Sequence, residues 1–139
     1  GKEVEHTRIS SDVPLRGDET VLLIDDEDMI IDVGSKMLET LGYTVMTASG
    51  GRQGIDLYEK NRDSIDFVIL DMIMPGFGGK ETFDILHRIN PSIVVILSSG
   101  YSLDSQAKEI IQKGCRGFIQ KPFSIVDLSK KIREILDQC

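Results

Sequence analysis

The sequence is poor in cysteine and aromatic residues. Its 139 residues include two cysteines, no tryptophan and 6% aromatic residues in all. Cys115 and Cys139 show neither the spacing of a metal site nor a disulfide framework. The sequence therefore predicts free thiols in a reducing compartment, and a cytoplasmic location.

Long apolar runs and positive charge are also missing. No apolar stretch approaches the roughly 18–20 residues of a membrane span, and none reads as a signal peptide. The formal net charge is −7, whereas a nucleic-acid binder needs a basic face. We therefore expect this domain to contact neither membrane nor nucleic acid.

Short apolar runs alternate with amphipathic segments along most of the chain. Residues 1–18 are polar and aperiodic and are predicted to be a linker or tail, while residues 19–137 are predicted to form one domain. The predicted strands are 20–24, 44–48, 67–71, 93–97 and 117–120. Each is followed by a predicted helix, which indicates an α/β fold, a doubly wound (βα)5 sandwich with a parallel sheet.

Two helices carry clear local signals. The first has an apolar stripe at helical spacing, and Gly42 is predicted to end it. The residues of that stripe are Ile30, Val33, Met37 and Leu41. The last helix is predicted to be capped by Ser124, with Asp127 completing an approximate capping box.

Polar residues follow or end four of the predicted strands. They are Asp25 and Asp26 after strand 1, Asp71 on strand 3, Ser99 after strand 4 and Lys121 after strand 5. Parallel strands bring their carboxyl ends to one edge of the sheet, where ligands bind. Three carboxylates crowded together repel one another unless a cation joins them, and Mg²⁺ suits such oxygen ligands. Together with a lysine and a hydroxyl, this set indicates a phosphoryl-transfer site with Asp71 as the nucleophile.

Four ordered motifs resemble those of one known family. They are LLIDDE at 22–27, ILDMIMPG at 69–76, LSSGY at 97–101 and KPF at 121–123. In this order and spacing they are similar to the CheY-like response regulator receiver domain of two-component signalling. The resemblance covers about residues 19–136 and implies a flavodoxin-like sheet with strand order 2-1-3-4-5.

The resemblance also implies a chemistry for the strand ends. Asp71 would be the phosphoacceptor for a phosphohistidine donor, which is a histidine kinase or a histidine phosphotransfer domain. Lys121 and Ser99 would assist the transfer. The Mg²⁺ site would comprise Asp25, Asp26, Asp71 and the backbone carbonyl of Ile73, with Asp25 acting mostly through water.

Further implications concern the switch and the surroundings of the site. Ser99 and Phe118 match the switch pair of the family, and the Lys121–Pro122 peptide bond is predicted to be cis. Bulky Ile73 and Tyr101 indicate a long-lived phosphoryl group. A homodimer through the face of helix 4, strand 5 and helix 5 is compatible with the resemblance.

Several alternatives stay open from the sequence. A haloacid-dehalogenase-like phosphatase would need an aspartate where Ile73 stands, and a flavodoxin-like cofactor carrier would need a flavin-phosphate loop. No DNA-binding output domain is expected after the last helix, so the chain is predicted to be either the receiver of a hybrid histidine kinase or a free-standing regulator. Whether it counts as an enzyme is open, because a receiver catalyses only its own phosphorylation and dephosphorylation.

Overall fold

Five parallel strands form one sheet with helices on both faces. The computed structural model describes residues 13–100 and 105–138, without the side chains of residues 105 and 106. The strands are β1 (Thr20–Ile24), β2 (Thr44–Ala48), β3 (Phe67–Asp71), β4 (Val95–Ser99) and β5 (Gly117–Gln120). The helices are α1 (Asp28–Thr40), α2 (Gly51–Lys60), α3 (Gly79–Ile89), α4 (Ser105–Gln112) and α5 (Ile125–Leu136). The order β2-β1-β3-β4-β5 confirms the predicted fold and topology.

The core lies on both faces of the central strands, which explains their continuous apolar runs. Along β3, Val68 and Leu70 join the cluster that packs under α2, α3 and α4. Phe67 and Ile69, which point the other way, join the cluster under α1 and α5. Because both faces are covered, polar side chains can approach the sheet only at its ends.

Strand β4 differs from its prediction by two residues. It runs from Val95 to Ser99 rather than over 93–97. Ladder pairing continues past the apolar run, since Ser98 pairs with Asp71 and Ser99 with Gln120. Hydropathy ended the predicted strand too early, because the two serines belong to the ladder and are buried.

The predicted stripe of α1 is wrong at Val33. Val33 is 44% exposed, whereas the buried residues of this helix are Gly34 and Leu38. A Cβ on Gly34 would lie 3.1 Å from the Leu23 side chain, so this glycine lets the helix approach β1 closely. The helix is therefore turned toward a face that a count of apolar side chains overlooks.

The predicted helix ends are confirmed. Gly42 follows α1 with a φ of +108°, a left-handed conformation that favours glycine. At the start of α5, the backbone N–H of Asp127 donates to Oγ of Ser124 at 3.0 Å. These local signals fix where the elements turn and hence where the strand ends lie.

Residues just before β1 pack against the domain. The backbone N–H of Leu15 donates to Ser129 Oγ at 2.9 Å, and that of Gly17 donates to the Leu41 carbonyl at 3.0 Å. Glu19 forms an ion pair with Arg133 on α5. The boundary at residue 19 stays a prediction, and these contacts make the preceding segment a candidate part of the folded unit.

Within the described ranges, none of the helices has the length and apolar character needed to cross a bilayer.

We predict that Gly17→Ala destabilises the protein. A Cβ at this position would lie 2.5 Å from the ring of Tyr43, which is buried and stacks edge-on against Phe67. The shifts of backbone and side chain that avoid this overlap should lower the free energy of unfolding by about 1–3 kcal/mol, measured by urea denaturation. Val13→Ala is the matched control, because Val13 is 52% exposed in the same segment. Equal stability of both variants would mean that the segment does not pack as described.

Candidate functional site

Backbone hydrogen bonds join neighbouring strands at the carboxyl edge of the sheet, between β1 and β2, β3 and β4, and β4 and β5. The Asp25 N–H donates to the Ala48 carbonyl at 3.1 Å, and the Lys121 N–H donates to the Ser99 carbonyl at 2.7 Å. The Lys121–Pro122 peptide bond is cis, as predicted. The polar residues that the sequence places at these ends therefore lie along one edge of the sheet.

Three aspartates come together at this edge. Asp25, Asp26 and Asp71 each offer a carboxylate oxygen, and these oxygens lie within 4.8 Å of one another. Asp25 and Asp71 are buried, whereas Asp26 is exposed. Two buried carboxylates so close together are costly unless cations compensate them.

Lys121 supplies one compensating charge. Its ammonium lies 2.7 Å from Oδ2 of Asp25 and 3.2 Å from Oδ1 of Asp71. The contact with Asp25 is short, yet Oδ2 of Asp25 has no well-aligned hydrogen bond among the described residues. The contact is an ion pair by its distance, and a carboxylate oxygen has a second lone pair with which it can accept a further ligand.

The titration of Asp71 reflects its surroundings. Burial, followed by the negative charge of Asp25, raises the pKa of Asp71 from 3.8 to about 7, although Lys121 opposes the rise. Burial alone would lower the pKa of Lys121, but the close contacts with the charged carboxylates of Asp25 and Asp71 outweigh it and raise that pKa. Lys121 therefore stays charged at neutral pH, while Asp71 needs another cation to be fully ionised.

The donor set suits a hard divalent cation. Three carboxylates, two of them buried and one with an oxygen open to a further ligand, fit the oxygen coordination of Mg²⁺. The N–H of Ile73 lies 3.5 Å from Oδ1 of Asp71, so the backbone at this position adjoins the cluster. The role of the Ile73 carbonyl stays a prediction.

The expected switch residues lie on neighbouring strands. Ser99 is buried at the end of β4, and Phe118 on β5 is half-buried. Phe118 pairs with Leu97, two residues before Ser99 on the same face of the sheet. Their switching stays a prediction. Tyr101 falls outside the described residues.

Glu27, for which the sequence predicts no role, also borders this site. Its Oε1 lies 3.6 Å from Lys121 Nζ, and its N–H donates to Oδ1 of Asp25 at 2.9 Å. With Asp71, Lys121 and their neighbours it lines an open cleft of about 430 Å³. The run of acids after β1 was the available signal, but pattern alone does not tell which acid faces the lysine.

The family of the chain follows from comparison with known proteins. The family model described as the response regulator receiver domain matches residues 21–133, so the chain belongs to that family. Such domains pair with histidine kinases in two-component systems and generally bind Mg²⁺ at an acidic cluster. This assignment decides against the phosphatase and cofactor-carrier alternatives.

Individual relatives agree with the family match. Sensor kinase CckA of Brucella abortus (strain 2308) is 32% identical over 131 residues, which are 94% of this chain and 14% of that protein. Transcriptional regulatory protein CpxR of Escherichia coli (strain K12) is 32% identical over 117 residues, covering 84% of this chain and 48% of that one. The chain thus spans less than half of either relative.

Solved structures show the same fold. The response regulator receiver domain protein of Clostridium thermocellum superposes with a TM-score of 0.81 at 32% identity, covering 86% of this chain and 95% of that one. A CheY-like receiver of Methanospirillum hungatei JF-1 gives a TM-score of 0.77 at 27% identity, covering 88% and 96%.

We predict that Asp71→Asn stabilises the metal-free protein near pH 7. The substitution removes a buried charge, and one unit of pKa shift corresponds to about 1.4 kcal/mol, so the gain should be at least about 1 kcal/mol. Because the pKa of Asp71 is raised in the folded state, wild type should itself gain stability as pH falls from about 7 toward 4. The variant should lack this part of the pH dependence.

Thermal and urea unfolding in EDTA at several pH values measure both effects. Asp26→Asn is the matched control, and it should gain less because Asp26 is exposed. At a Mg²⁺ concentration a hundred times its dissociation constant, the free energy of unfolding of wild type should rise by roughly 2.7 kcal/mol relative to EDTA. The rise should be smaller in either variant. Equal gains from Mg²⁺ in all three proteins would contradict a metal site at these acids.

Proposed function

We propose that this receiver accepts a phosphoryl group from a phosphohistidine donor onto Asp71 in a Mg²⁺-dependent reaction. The observation that carries the proposal is the pairing of buried Asp71 with Lys121 at 3.2 Å, beside two further aspartates. A carboxylate nucleophile, an ammonium and a site for a divalent cation are what transfer to an acid requires.

Each residue has a distinct task in this reaction. A carboxylate oxygen of Asp71 attacks phosphorus, the N–P bond of the donor breaks, and the imidazole leaves with the electron pair and takes a proton. Lys121 neutralises negative charge on the transferring group, because it is held by Asp25 within reach of Asp71. Mg²⁺, held by the aspartates, would supply further positive charge to the phosphoryl oxygens. Ser99, which lines the same cleft, would donate its hydroxyl to one of them.

The response to phosphorylation would pass through Ser99 and Phe118. Ser99 ends the strand that pairs with β5, and its carbonyl accepts from Lys121. A shift of Ser99 toward a phosphoryl group would leave room that the half-buried Phe118 ring can fill. The proposed output is therefore a change of the surface formed by α4, β5 and α5, which is also where a homodimer would form.

The reaction can be tested directly. Wild type incubated with acetyl phosphate and Mg²⁺ should gain the mass of one phosphoryl group, and EDTA or Asp71→Asn should prevent the gain. Lys121→Ala should react about ten- to a hundredfold more slowly, because it lacks the charge that stabilises the transferring group. Intact mass spectrometry at timed intervals measures all four conditions. Normal phosphorylation of Asp71→Asn would place the acceptor elsewhere.

The donor is proposed to dock beside the cleft on an apolar groove. This groove is lined by residues of α1 and by the two residues that follow Lys121, and it has a volume of about 180 Å³. Met29 is 74% exposed and Val33 44% exposed, so apolar surface lies next to the acceptor. A protein donor that brings its phosphohistidine to Asp71 would cover this groove.

We predict that Val33→Asp slows transfer from a phosphohistidine donor at least about tenfold, because it places a charge in an apolar contact. Phosphorylation by acetyl phosphate should stay unchanged, since Val33 is not at the site. The donor is an autophosphorylated histidine kinase that phosphorylates wild type, and transfer is measured as the loss of phosphoryl groups from the kinase. Lys36→Asp, on an exposed part of the same helix, is the control. Equal slowing with acetyl phosphate would indicate damage to the fold instead.

We propose that the receiver derives from a hybrid sensor kinase. The match to CckA leaves only eight of the 139 residues uncovered, so it includes the segment from residue 15 to β1 that packs against α5. The match to CpxR, which is not a sensor kinase by its name, is shorter and covers 117 residues. A cytoplasmic location agrees with such a parent chain. Mass spectrometry of the full-length gene product would decide, because a free-standing regulator would be close to the 15.5 kDa of this chain.

A further inference from the structure

We propose that Glu27 determines donor specificity by disfavouring small anionic phosphodonors at the Asp71 cleft. The inference rests on the proposed function. It assigns to Glu27 a task in the choice of donor rather than in the transfer itself. A receiver with such a residue would respond to a docked protein donor and much less to phosphorylated metabolites.

The first observation is the position of the side chain. Glu27 lines the same cleft as Asp71 and Lys121, and its side chain is 61% exposed at the mouth. Its N–H is bonded to Asp25, which fixes the backbone directly beside the acidic cluster. A phosphoryl group that enters this cleft therefore comes near this carboxylate as well as Asp71.

The second observation is that Glu27 does not cap its helix. It occupies the N-cap of α1, yet its side chain accepts no hydrogen bond from the first turn. The preference of a helix start for negative charge is already met by Asp28 in that turn. The Glu27 carboxylate instead lies 3.6 Å from Lys121, so its placement relates to the site rather than to the helix.

The charges in the described part of the cleft indicate which donors Glu27 would disfavour. Asp25, Asp26, Asp71 and Glu27 are four acids around the ammonium of Lys121. A bound divalent cation would leave one net negative charge, and removal of Glu27 would leave none. A dianionic donor is repelled by that residual charge more than a singly charged donor is. A protein donor can offset the repulsion through contacts elsewhere, for which the apolar groove beside α1 is available.

The test compares two small donors of similar size and different charge. Acetyl phosphate is a dianion near neutral pH, whereas phosphoramidate carries a single net negative charge. Initial rates of phosphorylation are measured by intact mass for wild type, Glu27→Gln and Asp32→Asn at saturating Mg²⁺. Asp32→Asn is the matched control, because it removes an acid from α1 that pairs with Lys36 away from the cleft.

The expected result is a change in donor preference. Glu27→Gln should raise the rate with acetyl phosphate about three- to tenfold and the rate with phosphoramidate less than about twofold. The gain with acetyl phosphate should shrink in 0.5 M salt, since screening weakens an exposed charge. Asp32→Asn should leave the ratio of the two rates unchanged.

Two results would overturn this inference and leave the proposed function intact. An equal change with both donors would show that Glu27 acts by releasing Lys121 or by altering the fold, and no change with either would show that its charge is irrelevant. Failure of both wild type and Glu27→Gln to accept a phosphoryl group, from either small donor and from an autophosphorylated histidine kinase, would overturn the proposed function, and this inference with it.

Discussion

The position of the Lys121 ammonium among buried carboxylates is the constraint on which the site depends. Asp25 and Asp71 are both buried at the end of a parallel sheet, and such charges need compensation. Lys121 reaches both, while its backbone N–H is bonded to Ser99 on β4. One residue thus links the ends of β1, β3 and β4, and a change at any of them alters the balance of charge at the others.

Lys121 alone does not neutralise the negative charge of these acids, so a further cation would be bound here. The pKa of Asp71 is raised to about 7 mainly by burial and by the charge of Asp25, so the metal-free site resists ionisation of its proposed phosphoacceptor. Binding a divalent cation would both favour the charged form and stabilise the fold. A metal-free site of this kind would lower the stability of the fold, which is a common cost of placing reactive groups in a buried position.

Much of the fold and most of the site residues could be predicted from the sequence, because parallel strands are buried on both faces and end at one edge. The topology, the Ser124 cap and the cis peptide bond are confirmed. Hydropathy could not place the end of β4, since ladder pairing of Ser98 and Ser99 has no apolar signal. It also missed the packing of the segment before β1, whose backbone contacts with α5 and Leu41 carry no periodicity.

The orientation of α1 shows how such an error bears on function. Gly34 gives no hydrophobic signal, yet it is the point where the helix meets Leu23, and Leu38 follows on the same face. Met29 and Val33 are therefore not buried in the core, and they lie at the surface next to the residues that follow Lys121. An apolar residue that packing does not require, beside a reactive acid, needs another reason to be there. Contact with the proposed donor would supply one, and the charge of Glu27 at the rim of the cleft would then favour donors that make this contact over those that cannot.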